Sequence, residues 1–138
     1  MRLGIAASRF NEEIAGELLK RARAEARKLG IECEETLVPG ALEIPIALQW
    51  MAQSGRYDAL VAVGAVIRGE TYHFEIVCNE SARGVMDVAL ESGLPVGNGI
   101  LTTNDEAQAT ARLDKGAEAV RVAVEMARLR AKISERPA

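Results

Sequence analysis

One histidine, His73, stands in a chain of 138 residues. It closes the segment Gly64-Ala65-Val66-Ile67-Arg68-Gly69-Glu70-Thr71-Tyr72-His73-Phe74. An apolar run, then a glycine, a hydroxyl residue and a base, suits an anion site with a proton carrier beside it. Gly69 lets the backbone approach a ligand closely. Thr71 offers a hydroxyl and can cap the helix that follows, and the unpaired N–H groups of a helix start suit a phosphate. His73, in the first helical turn, is then placed to move a proton. A lone histidine is more often structural than catalytic, so its weight comes from these neighbours. The segment matches neither a Walker A loop nor G-x-G-x-x-G, which disfavours nucleotide binding by those routes.

Other residues of unusual type fall at comparable places. The aromatics are Phe10, Trp50, Tyr57, Tyr72 and Phe74. Phe10, Tyr72 and Phe74 each come just after a predicted strand. Phe10, in Ser8-Arg9-Phe10-Asn11, can stack on a flat heterocycle or simply plug the end of a helix; taken alone, the two readings weigh the same. Gly40-Ala41-Leu42-Glu43 opens a helix whose first N–H groups could read carbonyl oxygens, although taken alone an ordinary turn and helix start, with Glu43 at the positive dipole end, is the better reading. Arg112, with its fork of donors, suits a phosphate, and Lys115 lies close by; both are otherwise surface charges. In Gly97-Asn98-Gly99 the backbone is bare, as expected where something approaches closely.

Short apolar runs alternating with helical periods must position these residues. Leu3–Ala7, Glu34–Val38, Ala59–Ala65 and Pro95–Leu101 read as strands. Ala59–Ala65 is apolar throughout, as in a central strand covered on both faces. Asn11 can cap a helix that runs to Leu29 and stops at Gly30, with Glu17 and Arg21 paired on its wet face. A second helix runs from about Leu42 to Ser54, with Pro45 tolerated in its first turn. Val66 to Thr71 reads as a loop before a long helix ending near Gly93. Asp105–Arg112 and Lys115–Lys132 read as two closing helices. The expected fold class is α/β: a three-layer, flavodoxin-like, doubly wound sheet of four parallel strands in one domain spanning residues 1–138. In the last helix Ala117, Val120, Val124, Ala127 and Ala131 form one apolar stripe. Val122, Met126, Leu129 and Ile133 form another, which needs a partner.

Composition narrows the classes. Lys plus Arg is 17 and Asp plus Glu is 20, a net charge of −3 with no basic run, so nucleic-acid binding is not expected. No apolar stretch is long enough for a bilayer, and the first residues do not read as a signal peptide. Cys33 and Cys78 lack CxxC spacing and a second histidine to join them, so no metal site is expected and the chain reads as cytoplasmic.

Several segments together resemble the lumazine synthase (6,7-dimethyl-8-ribityllumazine synthase) family. They are Ser8-Arg9-Phe10-Asn11, Val38-Pro39-Gly40-Ala41-Leu42-Glu43-Ile44-Pro45, Gly64 to Phe74, Asn98-Gly99-Ile100-Leu101-Thr102-Thr103, and Lys115-Gly116 to Glu125-Met126-Ala127. They appear in the family's order over almost the whole chain. The resemblance implies a cofactor-free condensation of 5-amino-6-(D-ribitylamino)uracil with 3,4-dihydroxy-2-butanone 4-phosphate. Phe10 would stack on the pyrimidine. Ala41, Leu42 and Glu43 would hold the ribityl chain and ring, over a floor of Val66 and Ile67. Gly69, Glu70 and Thr71 would cradle the phosphate with Arg112, and His73 would shuttle protons. Gly97, Asn98, Arg112 and Lys115 would come from a neighbouring subunit.

The resemblance further implies a homo-oligomer, with a ring of five as its basic unit, and raises riboflavin synthase as a docking partner. Many members carry an aromatic where this chain has Asn98, a longer stretch between Arg112 and Lys115, and an extra N-terminal strand. A rival of another class is a flavodoxin-like module that binds flavin or lumazine without chemistry; an oligomeric scaffold is a further one. A phosphate anchor beside a base, Arg112 with His73, separates the enzyme from a pure binder.

Overall fold

The computed structural model describes residues 1–135; the last three residues of the expected domain lie outside it. Four strands, β1 (Arg2–Ser8), β2 (Glu32–Val38), β3 (Ala59–Ile67) and β4 (Val96–Thr103), form one sheet in the order β2-β1-β3-β4. Every pair is parallel, with Leu3 beside Ala59 and Cys33, and Val63 beside Gly99. Helices α1 (Glu12–Lys28), α2 (Ile44–Gln53), α3 (His73–Ser92), α4 (Glu106–Thr110) and α5 (Lys115–Ser134) make the crossovers and the closing segment. This is the expected three-layer, flavodoxin-like α/β fold.

Side-chain alternation along the central strands sorts the core into two halves. Leu3, Ile5 and Ala7 of β1, with Val61 and Val63 of β3, pack on α1 and α5. Ala6, Leu60 and Ala62 pack on α2 and α3 instead. On α1 the buried residues Ile14, Leu18, Ala22 and Ala26 recur at helical spacing, and Leu18 is fully enclosed. Truncating such a leucine costs about 2–5 kcal/mol. Edge strand β2 is largely exposed and rich in glutamate, which discourages further strand pairing.

Glycines set how closely the layers approach. A Cβ on Gly97 would run into the Ala119 carbonyl of α5, and one on Gly116 would meet the Leu18 carbonyl of α1. The bare stretch of β4 therefore admits a helix of the same chain. The second stripe of α5 stays on the surface: Val122, Met126, Leu129 and Ile133 are all exposed. Ala131, placed in the first stripe by spacing, is exposed as well.

Several local expectations are corrected. Strand β3 continues through Val66 and Ile67, because Ile67 still pairs with Thr103, so the loop is shorter than the sequence suggests. Asn11 does sit at the start of α1, but in the left-handed region (φ 59°) without capping it. Its Nδ2 instead donates to the Ala65 carbonyl at 2.9 Å. Residues Ala41–Glu43 form a 3-10 turn ahead of α2, with Pro45 in the helix's first turn. Helix α3 starts after Tyr72, and Thr71 only accepts a long 3.4 Å bond from the His73 N–H. Asp105 caps α4, accepting from the Gln108 N–H at 2.8 Å. The expected Glu17–Arg21 pair is present at 3.1 Å.

Candidate active site

In this topology the strand order reverses between β1 and β3, and ligands bind beyond the carboxyl ends of the strands there. A cavity of about 510 Å³ opens at that place, with Ala65, Val66 and Ile67 of β3 along one wall.

The loop after β1 supplies Phe10. The Arg9 N–H donates to the Val38 carbonyl at 2.9 Å, and the Phe10 N–H to the Pro39 carbonyl at 3.1 Å. With the Asn11 amide on Ala65, these bonds tie the loop to the ends of both neighbouring strands. The ring itself is 71 % exposed yet lines the cavity. A large apolar ring held out by fixed backbone is available for stacking. Beside it runs Pro39-Gly40-Ala41-Leu42-Glu43, also on the cavity wall. The Glu43 N–H donates to the Gly40 carbonyl at 3.1 Å, which shapes the 3-10 turn. A Cβ on Gly40 would stand 3.1 Å from Glu43 Oε1, so the carboxylate lies over the glycine.

The third side is the start of α3. Gly69, Thr71, His73, Phe74 and Val77 all line the cavity. His73 is solvent-accessible and makes no side-chain hydrogen bond among the described residues, so its ring nitrogens are free for a ligand. Arg68 stacks its guanidinium over the Phe74 ring at 4.4 Å and pairs with Glu75. The bond from Arg68 holds the Glu75 carboxyl below the usual carboxylate range. Burial pushes the Cys78 thiol, one turn further along α3, above its ordinary value, so it does not present a ready thiolate.

Phe10, Ala41, Leu42, Glu43, Val66, Ile67, Gly69, Thr71 and His73 thus share one cavity. Five of the expected site residues do not join it within this chain, among them Gly97, which faces α5. Glu70 is exposed on the turn beside it. Asn98 is exposed on β4, where its Oδ1 accepts from the Ile100 N–H at 3.0 Å and so satisfies a donor of its own edge strand. Arg112 and Lys115 line a separate hollow of about 430 Å³ with Thr102, Thr103 and Glu118. There Arg112 donates to the Gln108 carbonyl at 2.9 Å, and Lys115 lies 3.2 Å from Glu118.

Sequence reasoning did not assign Phe74, Val77 or Arg68. The strand-end placement of Phe74 was the available signal. Arg68 had only a weak one, its position between the wall residues Ile67 and Gly69. Tyr72, noted on the same grounds as Phe74, is 70 % exposed and does not line the cavity. No group of three or more metal-ligating side chains occurs among the described residues, and no described helix is long and apolar enough to cross a membrane.

Comparison with known proteins adds a second line of observation. A family model described as 6,7-dimethyl-8-ribityllumazine synthase matches residues 1–131. A 6,7-dimethyl-8-ribityllumazine synthase of Cupriavidus pinatubonensis is 57 % identical over 133 residues, covering 94 % of this chain and 80 % of the relative. One from Nitrosomonas europaea is 58 % identical over 131 residues, covering 92 % of this chain and 80 % of its own. Among solved structures, a 4-deoxy-L-threo-5-hexosulose-uronate ketol-isomerase complexed with a tartrate aligns at TM-score 0.48 and 11 % identity, over 99 % of this chain and 79 % of that one. A likeness that loose carries no weight for fold or chemistry.

Proposed function

The chain belongs to the 6,7-dimethyl-8-ribityllumazine synthase family, and from that premise we propose how its cavity performs the condensation. The reaction is a transferase step of riboflavin biosynthesis. The 5-amino group of 5-amino-6-(D-ribitylamino)uracil attacks the ketone of 3,4-dihydroxy-2-butanone 4-phosphate. An imine forms with loss of water, phosphate is eliminated, and the ring closes with loss of a second water.

These steps require alignment of two substrates, an anion anchor and a proton carrier. Phe10 stacks on the pyrimidine, while the 41–43 turn holds the ribityl chain and ring through backbone groups and the Glu43 carboxylate. Val66 and Ile67 form the floor. Gly69, Glu70 and Thr71 receive the phosphate, and His73 moves protons between the imine, the leaving phosphate and water. The reaction draws on no cofactor in this reading. The observation that carries it is the single cavity onto which an open aromatic ring and an unengaged imidazole both face.

Arg112 and Lys115 lie in a different hollow of the same subunit. In this reading they complete the cavity of an adjoining copy, together with Asn98. The exposed stripe of Val122, Met126, Leu129 and Ile133 supports burial against a neighbour. The working unit is then a cytoplasmic homopentamer of single-domain subunits, open to further assembly and to docking of riboflavin synthase.

The test is formation of lumazine, read by absorbance, from the two purified substrates, alongside a native mass. Turnover by an oligomer is expected. A well-folded protein with no turnover sinks the catalytic reading in favour of a binding module. A strictly monomeric active protein sinks the shared site.

A further inference from the structure

Helix α3 carries His73 as its first residue, yet its start is poorly secured by its own sequence. Tyr72 occupies the capping position and supplies no side-chain bond. The Thr71 hydroxyl reaches the His73 N–H only at 3.4 Å. An uncapped first turn frays readily, which is a poor support for a proton carrier.

Arg68 meets this turn from outside. Its N–H donates to the Thr103 carbonyl at 2.9 Å, which fixes its backbone to the end of β4. Its Nε donates to Asn104 Oδ1 at 2.9 Å. Nη1 pairs with Glu75, and the guanidinium plane covers Phe74 at 4.4 Å. The two α3 residues that directly follow His73 are therefore held to the ends of β3 and β4 by one side chain. We propose that Arg68 is a positioning residue for the condensation, holding the first turn of α3 so that His73 and Phe74 keep their places on the cavity wall. This rests on the catalytic reading above. A planar fork can stack on a ring and bond two partners in its own plane at once, whereas an ammonium group cannot. The role therefore depends on the shape of arginine as well as its charge.

The experiment uses the full chain with Arg68→Ala, Arg68→Lys and Glu75→Gln. Steady-state lumazine formation is followed with each substrate varied in turn, and amide hydrogen exchange is read over residues 73–77. Arg68→Ala should lower kcat by about tenfold to a hundredfold, the loss expected when a reacting group is misplaced by about 1 Å. KM for either substrate should stay near the unmodified value, and exchange in the first turn of α3 should rise. Arg68→Lys should recover only a small part of kcat. Glu75→Gln, which keeps the volume and removes one arm of the clamp, should give a smaller loss of the same kind. An unchanged kcat or unchanged exchange in Arg68→Ala overturns the proposal. So does a loss confined to KM of the phosphate substrate and fully restored by lysine, which would make Arg68 a direct anion contact. If Arg68→Ala does not fold, Glu75→Gln decides: normal kcat with normal exchange overturns the idea. Failure of the unmodified chain to make lumazine defeats the catalytic reading itself, and the exchange experiment still reports on the clamp.

Discussion

Phe10 and His73 face the same cavity from the ends of different strands, the first on the loop after β1 and the second on the first turn after β3. The ring is fixed through backbone bonds to Val38 and Pro39, and the imidazole through the start of α3. Neither depends on the other for its position, so their loss should affect different kinetic quantities.

Phe10→Ala should raise KM for the pyrimidine substrate by up to about tenfold, the equivalent of the ~0.5–1.5 kcal/mol that aromatic stacking contributes. Stability should move by no more than about 0.5 kcal/mol, since the exposed ring buries little. Denaturant midpoints and steady-state kinetics on one preparation check both. An unchanged KM argues that the ring is only a plug.

His73→Ala should slow kcat by about 10²-fold, near the low end for a positioned proton carrier, without abolishing turnover. Alignment of the two substrates and the anion site survive the substitution. Complete loss of lumazine formation in a correctly folded variant would give His73 more than proton transfer.

Arg112→Ala should act chiefly on the phosphate substrate. A charge-assisted bond to an anion contributes about 1.5–3 kcal/mol, so KM for butanone phosphate should rise at least tenfold while KM for the pyrimidine stays level. A rise in the pyrimidine KM alone would remove Arg112 from the anion site.

Gly97→Ala tests packing rather than chemistry. The added methyl would collide with the Ala119 carbonyl, and overpacking of this kind costs about 1–3 kcal/mol or more. A lower denaturant midpoint is expected. Normal stability with impaired binding would return Gly97 to a ligand role.

Glu35 on β2 accepts two bonds from the Arg23 guanidinium of α1, at 2.5 and 2.8 Å. That side chain lowers the Glu35 value below its ordinary 4.5. A group whose folded value is depressed stabilises the fold fully above its unfolded value and loses that contribution as pH falls through the folded one. Both partners are partly solvated, so the effect is at most about 1 kcal/mol. The Tm difference between the unmodified protein and Glu35→Gln should be constant from about pH 6 upward and vanish in strong acid. A difference that persists there would show that shape, and not charge, matters at this position.

The amino-acid order by itself determined the layers of this protein. The short apolar runs of Leu3–Ala7 and Ala59–Ala65 and the helical stripes of α1 and α5 are local patterns, and burial reads local patterns directly. The kinds of residue fit for chemistry were legible for the same reason, since Phe10 and His73 stand out in a chain built from small aliphatics. What only the tertiary structure decided are the long-range partners. Asn11 looked like a cap and instead holds the end of β3. Gly97 and Gly99 looked like a ligand's approach and instead admit α5. Arg68 passed unnoticed until Phe74, Glu75 and Asn104 converged on it. Spacing along a chain says which face of an element a side chain shares. Which group from a distant segment stands opposite depends on how the layers close, and no local period encodes that.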